Sequence, residues 1–495
     1  MNLVPDTPPK GTVRSWLDTR AETGGTAFVF CETGEDLSWK HLRDAARACA
    51  RYLNSLGINP GESVAIMHPN GREGIIALYA ALYGGFRATM INLAAGPDAI
   101  GYALEHSEAR FAFVHPDHLD SFRSVAPGSI AVLDSEARGD ADLHPIAPAH
   151  HALLMYTSGT TGRPKGVVHT HASLLAGGWT TAIAHELTPQ DRGFCVLPIY
   201  HINGLCVTVM GALVSGGSLA VVSRFSASKF WDQAAEAQIT WFSVVPTIVS
   251  HLLHNASEPD ENTKARIRFG RSASSALAVE TQTAFEARFG VPIVETMGLT
   301  ETAAQILSNP LPPGTRKIGS PGMAFGNEVR ILASDLTESA PGTEGEIAVR
   351  GPNVMLEYLK NPEATEATFH GDWLRTGDLG RIDEDGYVFV TGRLKELIIK
   401  GGENIAPREI DEALYGHPDV VEAAAFARPC KKYGERVEAA VRLREGSSVV
   451  ATELIEACVA RVGKFKSPDQ VYFMKELPKG PSGKIQRLKL ADILG

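Results

Sequence analysis

The chain has 495 residues, more than one compact core accommodates, so two or more domains are expected. Its 44% hydrophobic and 21% charged residues are those of a globular protein. The formal net charge of -10 argues against a generally basic nucleic-acid-binding face, although local lysines and arginines can still hold small polyanions. The six cysteines, Cys31, Cys49, Cys195, Cys206, Cys430 and Cys458, have neither CxxC nor zinc spacing and read as reduced thiols. Residues 1–15 carry early proline and aspartate and no apolar run, so no signal peptide is expected there.

From residue 60 the pattern alternates: strand 63–67, helix 71–83, strand 89–92, helix 97–106, strand 111–114. This is the punctuation of a layered α/β domain. Residues 205–222 are uncharged, but Gly211, Ser215, Gly216, Gly217 and Ser218 interrupt them. A buried helix, a Gly-Gly turn and a buried strand over 219–223 are expected rather than a membrane span, and hence a cytoplasmic protein. A second alternation follows: helix 227–237, strand 239–245, helix 247–255, strand 267–270, helix 279–289, strand 292–295. After about residue 315 short strands with turn residues between them (328–332, 345–350, 380–382, 387–390) predict a β-rich subdomain. From 394 onward helices 407–415 and 452–462 and strands 420–427 and 438–443 predict a compact α+β unit.

The most informative stretch is Tyr156-Thr157-Ser158-Gly159-Thr160-Thr161-Gly162-Arg163-Pro164-Lys165-Gly166, which follows an apolar strand over 152–156. Glycines let backbone N–H groups converge on an anion, hydroxyls donate further bonds, and Lys165 adds a point charge for phosphate. No Ser or Thr follows Lys165, so this is not a Walker A loop. A plain Ser/Gly linker would not need a lysine and a proline fixed between glycines.

The loop resembles the signature of the adenylate-forming superfamily: acyl- and aryl-CoA synthetases, adenylation domains and beetle luciferases. The resemblance continues in order from about residue 20 to the C-terminus. It implies an ATP- and Mg²⁺-dependent ligase that joins a carboxylic acid to AMP and passes the acyl group to coenzyme A. It also implies a large N-terminal domain of layered α/β subdomains (1–392), a hinge (393–396) and a small mobile α+β domain (397–495).

Met297-Gly298-Leu299-Thr300-Glu301 is similar to the family's aromatic-Gly-x-Thr-Glu motif. By that resemblance Thr300 meets the α-phosphate and Glu301 holds the metal, as a carboxylate beside a triphosphate can. Met297 stands where many members stack an aromatic ring on adenine; a thioether can also cover a purine face. In Arg375-Thr376-Gly377-Asp378 the resemblance gives Asp378 both ribose hydroxyls. In Thr391-Gly392-Arg393-Leu394-Lys395-Glu396 it gives Arg393 the nucleotide and makes Lys395 the pivot. Gly401 and Gly402 would line the pantetheine tunnel after rotation, which lets one site exclude water in the first step and admit a thiol in the second.

Lys484, in Pro478-Lys479-Gly480-Pro481-Ser482-Gly483-Lys484-Ile485, resembles the family's catalytic lysine, which bridges the attacking carboxylate and the α-phosphate. Pro198-Ile199-Tyr200-His201-Ile202-Asn203-Gly204 is similar to the substrate-side motif, with His201 beside the acyl carboxylate. It contains no aspartate to pair with an ammonium, which argues against an amino-acid substrate.

Further text (Arg224-Phe225-Ser226-Ala227, Arg271-Ser272-Ala273-Ser274-Ser275, Ser308-Asn309-Pro310) is similar to the oxalate–CoA ligase branch. Polar Ser274, Ser275 and His201 suit a small polar acid or diacid, with Ser274 also near the nucleotide and Arg224 a candidate for a CoA phosphate. That branch usually has a histidine where Ala304 stands. A medium-chain or aryl acid, or a carrier protein in place of CoA, are the alternatives. An oxygenase and a non-catalytic nucleotide sensor share the fold, but the sensor would usually have lost one of Lys165, Glu301, Asp378 and Lys484, and all four stand in this chain.

Overall fold

The computed structural model describes residues 4–157, 163–480 and 484–495. Among these the chain forms four sheets. A nine-stranded sheet runs in the order Met323–Ala324, Ala304–Ser308, Ile293–Leu299, Phe269–Ser272, Trp241–Val244, Arg192–Cys195, Ser218–Val221, Thr26–Phe30, Glu35–Ser38. Its central strands are parallel. A seven-stranded sheet has the order Glu357–Tyr358, Lys165–Thr170, His151–Thr157, Arg87–Met90, Ser63–Met67, Phe111–Val114, Ala131–Leu133.

Two helices without a polar face fill the space between these sheets. Arg72–Gly84 is buried from Gly74 onward and packs on Ser63–Met67 and Arg87–Met90. His171–Ala184 packs on Lys165–Thr170 of one sheet and Ala304–Ser308 of the other. A helix that is apolar all round belongs between layers, because no face of it gains from water. The uncharged stretch 205–222 behaves the same way. It forms a wide-turned helix, Asn203–Met210, continues as Gly211–Ser215, ends at left-handed Gly216 (φ 78°), and returns as the strand Ser218–Val221. Among the described residues no helix is long and apolar enough to cross a membrane.

The expected bounds hold at 63–67, 97–106, 111–114, 279–289, 328–332, 345–350 and 407–415. Elsewhere strand ends shift: 267–270 becomes Phe269–Ser272, and 292–295 lengthens to Ile293–Leu299 because it pairs with Ala304–Ser308, a strand the sequence pattern does not announce. The β-rich subdomain is a five-stranded antiparallel sheet over Glu328–Leu332, Gly345–Arg350, Phe369–His370, Trp373–Ile382 and Val388–Arg393. The C-terminal unit has its own five-stranded sheet and its own core, centred on Ile398, Ile410, Leu414, Val441 and Leu454. Polar links tie it to the larger body. Arg408 donates to Val390 O (2.5 Å) and Gly319 O (3.3 Å), and Arg461 pairs with Glu280 (3.1 Å).

The N-terminal helix Val13–Thr23, not anticipated from the sequence, locks the inner helix by one side chain. Arg20 is buried and donates to the last carbonyls of Gly211–Ser215, Leu213 O (2.7 Å) and Val214 O (2.5 Å). A guanidinium suits the negative end of a helix and satisfies carbonyls that otherwise lack partners. Arg20→Met is expected to lower the unfolding free energy by about 2–3 kcal/mol, read from a urea midpoint at unchanged slope. A change below about 0.5 kcal/mol contradicts this assignment.

Candidate active site

The parallel strands Trp241–Val244, Phe269–Ser272 and Ile293–Leu299 end toward the C-terminal unit, and a cleft opens between them and it. Ligands in open α/β sheets bind beyond the carboxyl ends of the strands. Of the residues singled out from sequence, Ser274, Ser275, Met297, Gly298, Asp378, Arg393 and Lys484 line this one cleft. Ser274 has a positive φ of 74°, uncommon outside glycine, and its Oγ accepts from Asn203 Nδ2 at 3.3 Å. Gly298 cannot carry a side chain, since a Cβ there would lie 1.7 Å from Ala304 O.

Asp378 and Arg393 face each other in register across the antiparallel pair Trp373–Ile382 and Val388–Arg393. Arg393 Nε donates to Asp378 Oδ1 at 2.5 Å, and the aspartate is almost fully buried. Lys484 lies in a short antiparallel pairing made by Gly480 N–H to Lys484 O (2.7 Å) and Gln486 N–H to Pro478 O (2.8 Å). Three residues on, Arg487 anchors that pairing. It pairs with Asp411 (2.5 Å) inside the C-terminal unit and with Glu396 (3.2 Å) in the 393–396 segment. Burial, and then the positive charge of Arg393, lower the Lys484 ammonium to about 8, while Glu396 and Asp378 pull the other way. Such a lysine is half ionised near neutral to mildly alkaline pH, a common state for a functional group.

A second cluster lies at the edge of the seven-stranded sheet. Tyr358 donates its hydroxyl to Glu301 Oε1 (2.8 Å), and Lys165 Nζ lies 4.4 Å from the centre of the same ring. Burial, then the charge of Glu301, raises the Tyr358 phenol, so it remains a donor. Thr300 and Glu301 sit in a short 3-10 turn, Thr300–Thr302, whose Thr300 carbonyl is 2.7 Å from His169 Nε2. His169 is fully buried and lowered to about 4 by that burial, so it is neutral and donates from Nε2 to the carbonyl, with Nδ1 facing Ser173 Oγ at 3.0 Å. Among the described residues no three His, Cys, Asp or Glu side chains form a metal cage. Glu301, partly exposed with one oxygen fixed by Tyr358, fits instead a Mg²⁺ that arrives with phosphates, an ion that keeps its waters and takes one or two carboxylates.

The remaining expectations fall elsewhere. His201 is partly buried at the entry of the Asn203–Met210 helix, 5.1 Å ring-to-ring from Tyr200, and does not line the cleft. Lys395 is exposed in the connecting segment. Arg224 is exposed in the loop after Ser218–Val221, and Gly401 and Gly402 form the left-handed turn of an exposed hairpin (φ 61° and 86°); none of the three lines the cleft in this arrangement. Thr157 ends its strand opposite Lys165, whereas Ser158, Gly159, Thr160, Thr161 and Gly162 lie outside the described residues. Tyr358, His169, Glu396 and Arg487 were not singled out for any role.

A two-body α/β protein with a cationic lysine and an aspartate–arginine pair facing each other across a cleft is built to handle a nucleotide. The AMP-binding enzyme family model matches residues 17–359, and the AMP-binding enzyme C-terminal domain model matches residues 409–484. The chain belongs to the AMP-binding enzyme family, the adenylate-forming enzymes. It is 44% identical to a sulfoacetate–CoA ligase of Cupriavidus necator over 93% of each chain. It is 36% identical to an oxalate–CoA ligase of Arabidopsis thaliana, covering 90% of this chain and 91% of that one. The ATP-bound structure of MatB from Rhodopseudomonas palustris superposes with a TM-score of 0.88 at 29% identity, covering 98% of this chain and all of MatB.

Two outcomes test the site. In pyrophosphate formation from ATP and acid, kcat/KM is expected to fall above about pH 8, because the lowered Lys484 loses its proton there, and Lys484→Arg should push that limb upward by a unit or more. A profile flat to about pH 9.5 contradicts the assignment. Tyr358→Phe should lower adenylation about ten-fold at limiting Mg²⁺ and recover at saturating Mg²⁺, since it removes one hydrogen bond to a charged group.

Proposed function

We propose that the protein is an ATP-dependent CoA ligase for a small carboxylic acid that carries a second anionic group, as sulfoacetate and oxalate do. The chemical class is that of an AMP-forming acid–thiol ligase, with ATP, Mg²⁺ and coenzyme A as reactants. The observation that carries the reading is Lys484 standing across the cleft from Asp378, Arg393 and Ser274, where a reacting carboxylate and an α-phosphate would meet. The substrate class is supported by polar Ser274 and Ser275, by the absence of aspartate from residues 198–204, and by relatives named for sulfoacetate and oxalate.

In the first step a carboxylate oxygen attacks the α-phosphorus and pyrophosphate leaves. Lys484 offsets the charge of both reacting groups, and Asp378, held by Arg393, accepts the ribose hydroxyls. Met297 and Gly298 pass beside the adenine, and Thr300 donates to the α-phosphate. Lys165 and the loop from Thr157 through Ser158, Gly159, Thr160, Thr161 and Gly162 hold the outer phosphates, and Glu301 would take Mg²⁺ together with them. In the second step the thiol of CoA attacks the acyl carbon and AMP leaves. For this the unit 397–495 swings about Lys395, bringing Gly401 and Gly402 toward the pantetheine, while Arg224 meets a CoA phosphate and His201 stays by the acyl group. We read the protein as cytoplasmic.

A second reading, an aryl acid, is favoured by small Ala304 where the oxalate-type branch has a histidine, and by a 32% identical 2-succinylbenzoate–CoA ligase of Bacillus licheniformis. Pyrophosphate release with sulfoacetate, oxalate, malonate, acetate, benzoates and C6–C12 acids separates the two. A preference for the small dianions supports the first reading; a preference for benzoates replaces it. Lys484→Ala is expected to lower adenylation by about three orders of magnitude while sparing thioester formation from supplied acyl-AMP. Equal loss in both steps would remove Lys484 from its role.

A further inference from the structure

Resting on that reading, we propose that Arg271 is the specificity-determining residue for the second anionic group, its guanidinium supplying the countercharge at the inner end of the acyl site behind Ser274. Arg271 is the penultimate residue of the strand Phe269–Ser272, near the centre of the nine-stranded sheet, and is 1% exposed. Its Nη1 donates to Asn203 Oδ1 (2.8 Å) and Ser243 Oγ (3.1 Å), and its Nε to Gln305 Oε1 (3.1 Å). All three acceptors are neutral side chains. Burial alone lowers Arg271, to about 9, with no neighbouring negative charge holding it up.

Arginines that meet buried partners elsewhere are placed differently. The partly exposed Arg487 and Arg428 pair with Asp411 and the buried Glu438, and the exposed Arg268 with the buried Asp191. Arg20 sits on the negative end of a helix, and Arg87 donates to the Ser107 carbonyl with Glu108 and Glu357 near enough to be felt. Among the described residues Arg271 alone of these feels neither an acidic side chain nor the end of a helix. Keeping a cation dry without a countercharge costs several kcal/mol, which an anionic ligand entering the site would recover.

Its partners lead to the acyl side of the cleft. Asn203, which accepts from Arg271, donates to Ser274, the left-handed residue on the cleft wall. Asn203 is also two residues from His201, and Gln305 directly follows Ala304, where the oxalate-type branch has its histidine. The position of the missing imidazole is thus next in the chain to a residue that Arg271 holds. A guanidinium fork matches two oxygens of a sulfonate or carboxylate, which a point charge does not. An acid charged at both ends then meets one cation at each end, Lys484 at the reacting carboxylate and Arg271 at the other group.

The test compares sulfoacetate with methylsulfonylacetate, a neutral sulfone of nearly the same shape. The unmodified enzyme should prefer sulfoacetate about a hundred-fold in kcat/KM, mainly through KM, and Arg271→Gln should collapse that preference while the KM for ATP stays put. Equal use of the two acids by the unmodified enzyme overturns the proposal, and so does an Arg271→Gln variant that loses activity on both acids alike. Should that variant not fold, the pair of acids on the unmodified enzyme decides alone. The function reading fails separately: no small dianion is then turned over while a neutral or aryl acid is.

Discussion

In the proposed first step two anions, a carboxylate and a nucleotide phosphate, repel each other, and a cation has to be held between them in a place from which water is largely excluded. That constraint explains why Arg487 is so heavily tied. Its guanidinium is pinned by Asp411 within the C-terminal unit and by Glu396 in the connecting segment, and burial is outweighed by those charges, which raise it. The segment fixed at Arg487 brings Lys484 to the cleft, and among the described residues no carboxylate pairs directly with its ammonium. Lys484 thus keeps a lowered affinity for its proton and a free charge to offer.

The same economy governs the join between the two bodies. The C-terminal unit has a complete core of its own, so its position relative to the rest is not fixed by shared apolar burial. What holds it is polar: Arg408 on two carbonyls, Arg461 on Glu280, Arg487 on Glu396. The half-exposed pair Arg461–Glu280 contributes little, about 0–1 kcal/mol, and polar links of this kind can be exchanged for others. A join of this character is compatible with the proposed swing of the C-terminal unit, whereas a shared hydrophobic core would oppose it.

Much of this was legible in the sequence because the chemistry is local there. Glycine, threonine and lysine crowded between residues 156 and 166 point to anion binding by composition, whereas the Ser-Gly-Lys run at the C-terminus is read only through its resemblance to the family. Strands 63–67 and 111–114 and helices 97–106 and 279–289 carry clean periodicity and turn punctuation. What stayed hidden is contributed by pairing over long separations. Tyr358 reaches Glu301 only because a two-residue strand, Glu357–Tyr358, lies along Lys165–Thr170 from far down the chain. His169 looks like any strand residue until the Thr300 turn is placed against it. Ala304–Ser308 has no pattern of its own and exists as a strand because Ile293–Leu299 continues beside it.

Arg271 shows the limit most sharply. In the sequence it is a basic residue in a short apolar strand, and nothing local says whether a carboxylate waits for it. Only when Asn203, Ser243 and Gln305 converge from three separate segments does its lack of a countercharge become a property of the site. The chain as a whole carries ten more negative than positive charges, and its cleft too is lined by carboxylates (Asp378, Glu396, Asp411, Glu412) as well as by Arg393, Arg408, Lys484 and Arg487, whereas Arg271 meets only neutral partners. Net charge speaks to solubility and long-range fields. Recognition of a small acid is decided by which buried charges the fold leaves unanswered, and in this fold that charge is a fork-shaped cation facing neutral amides and a hydroxyl.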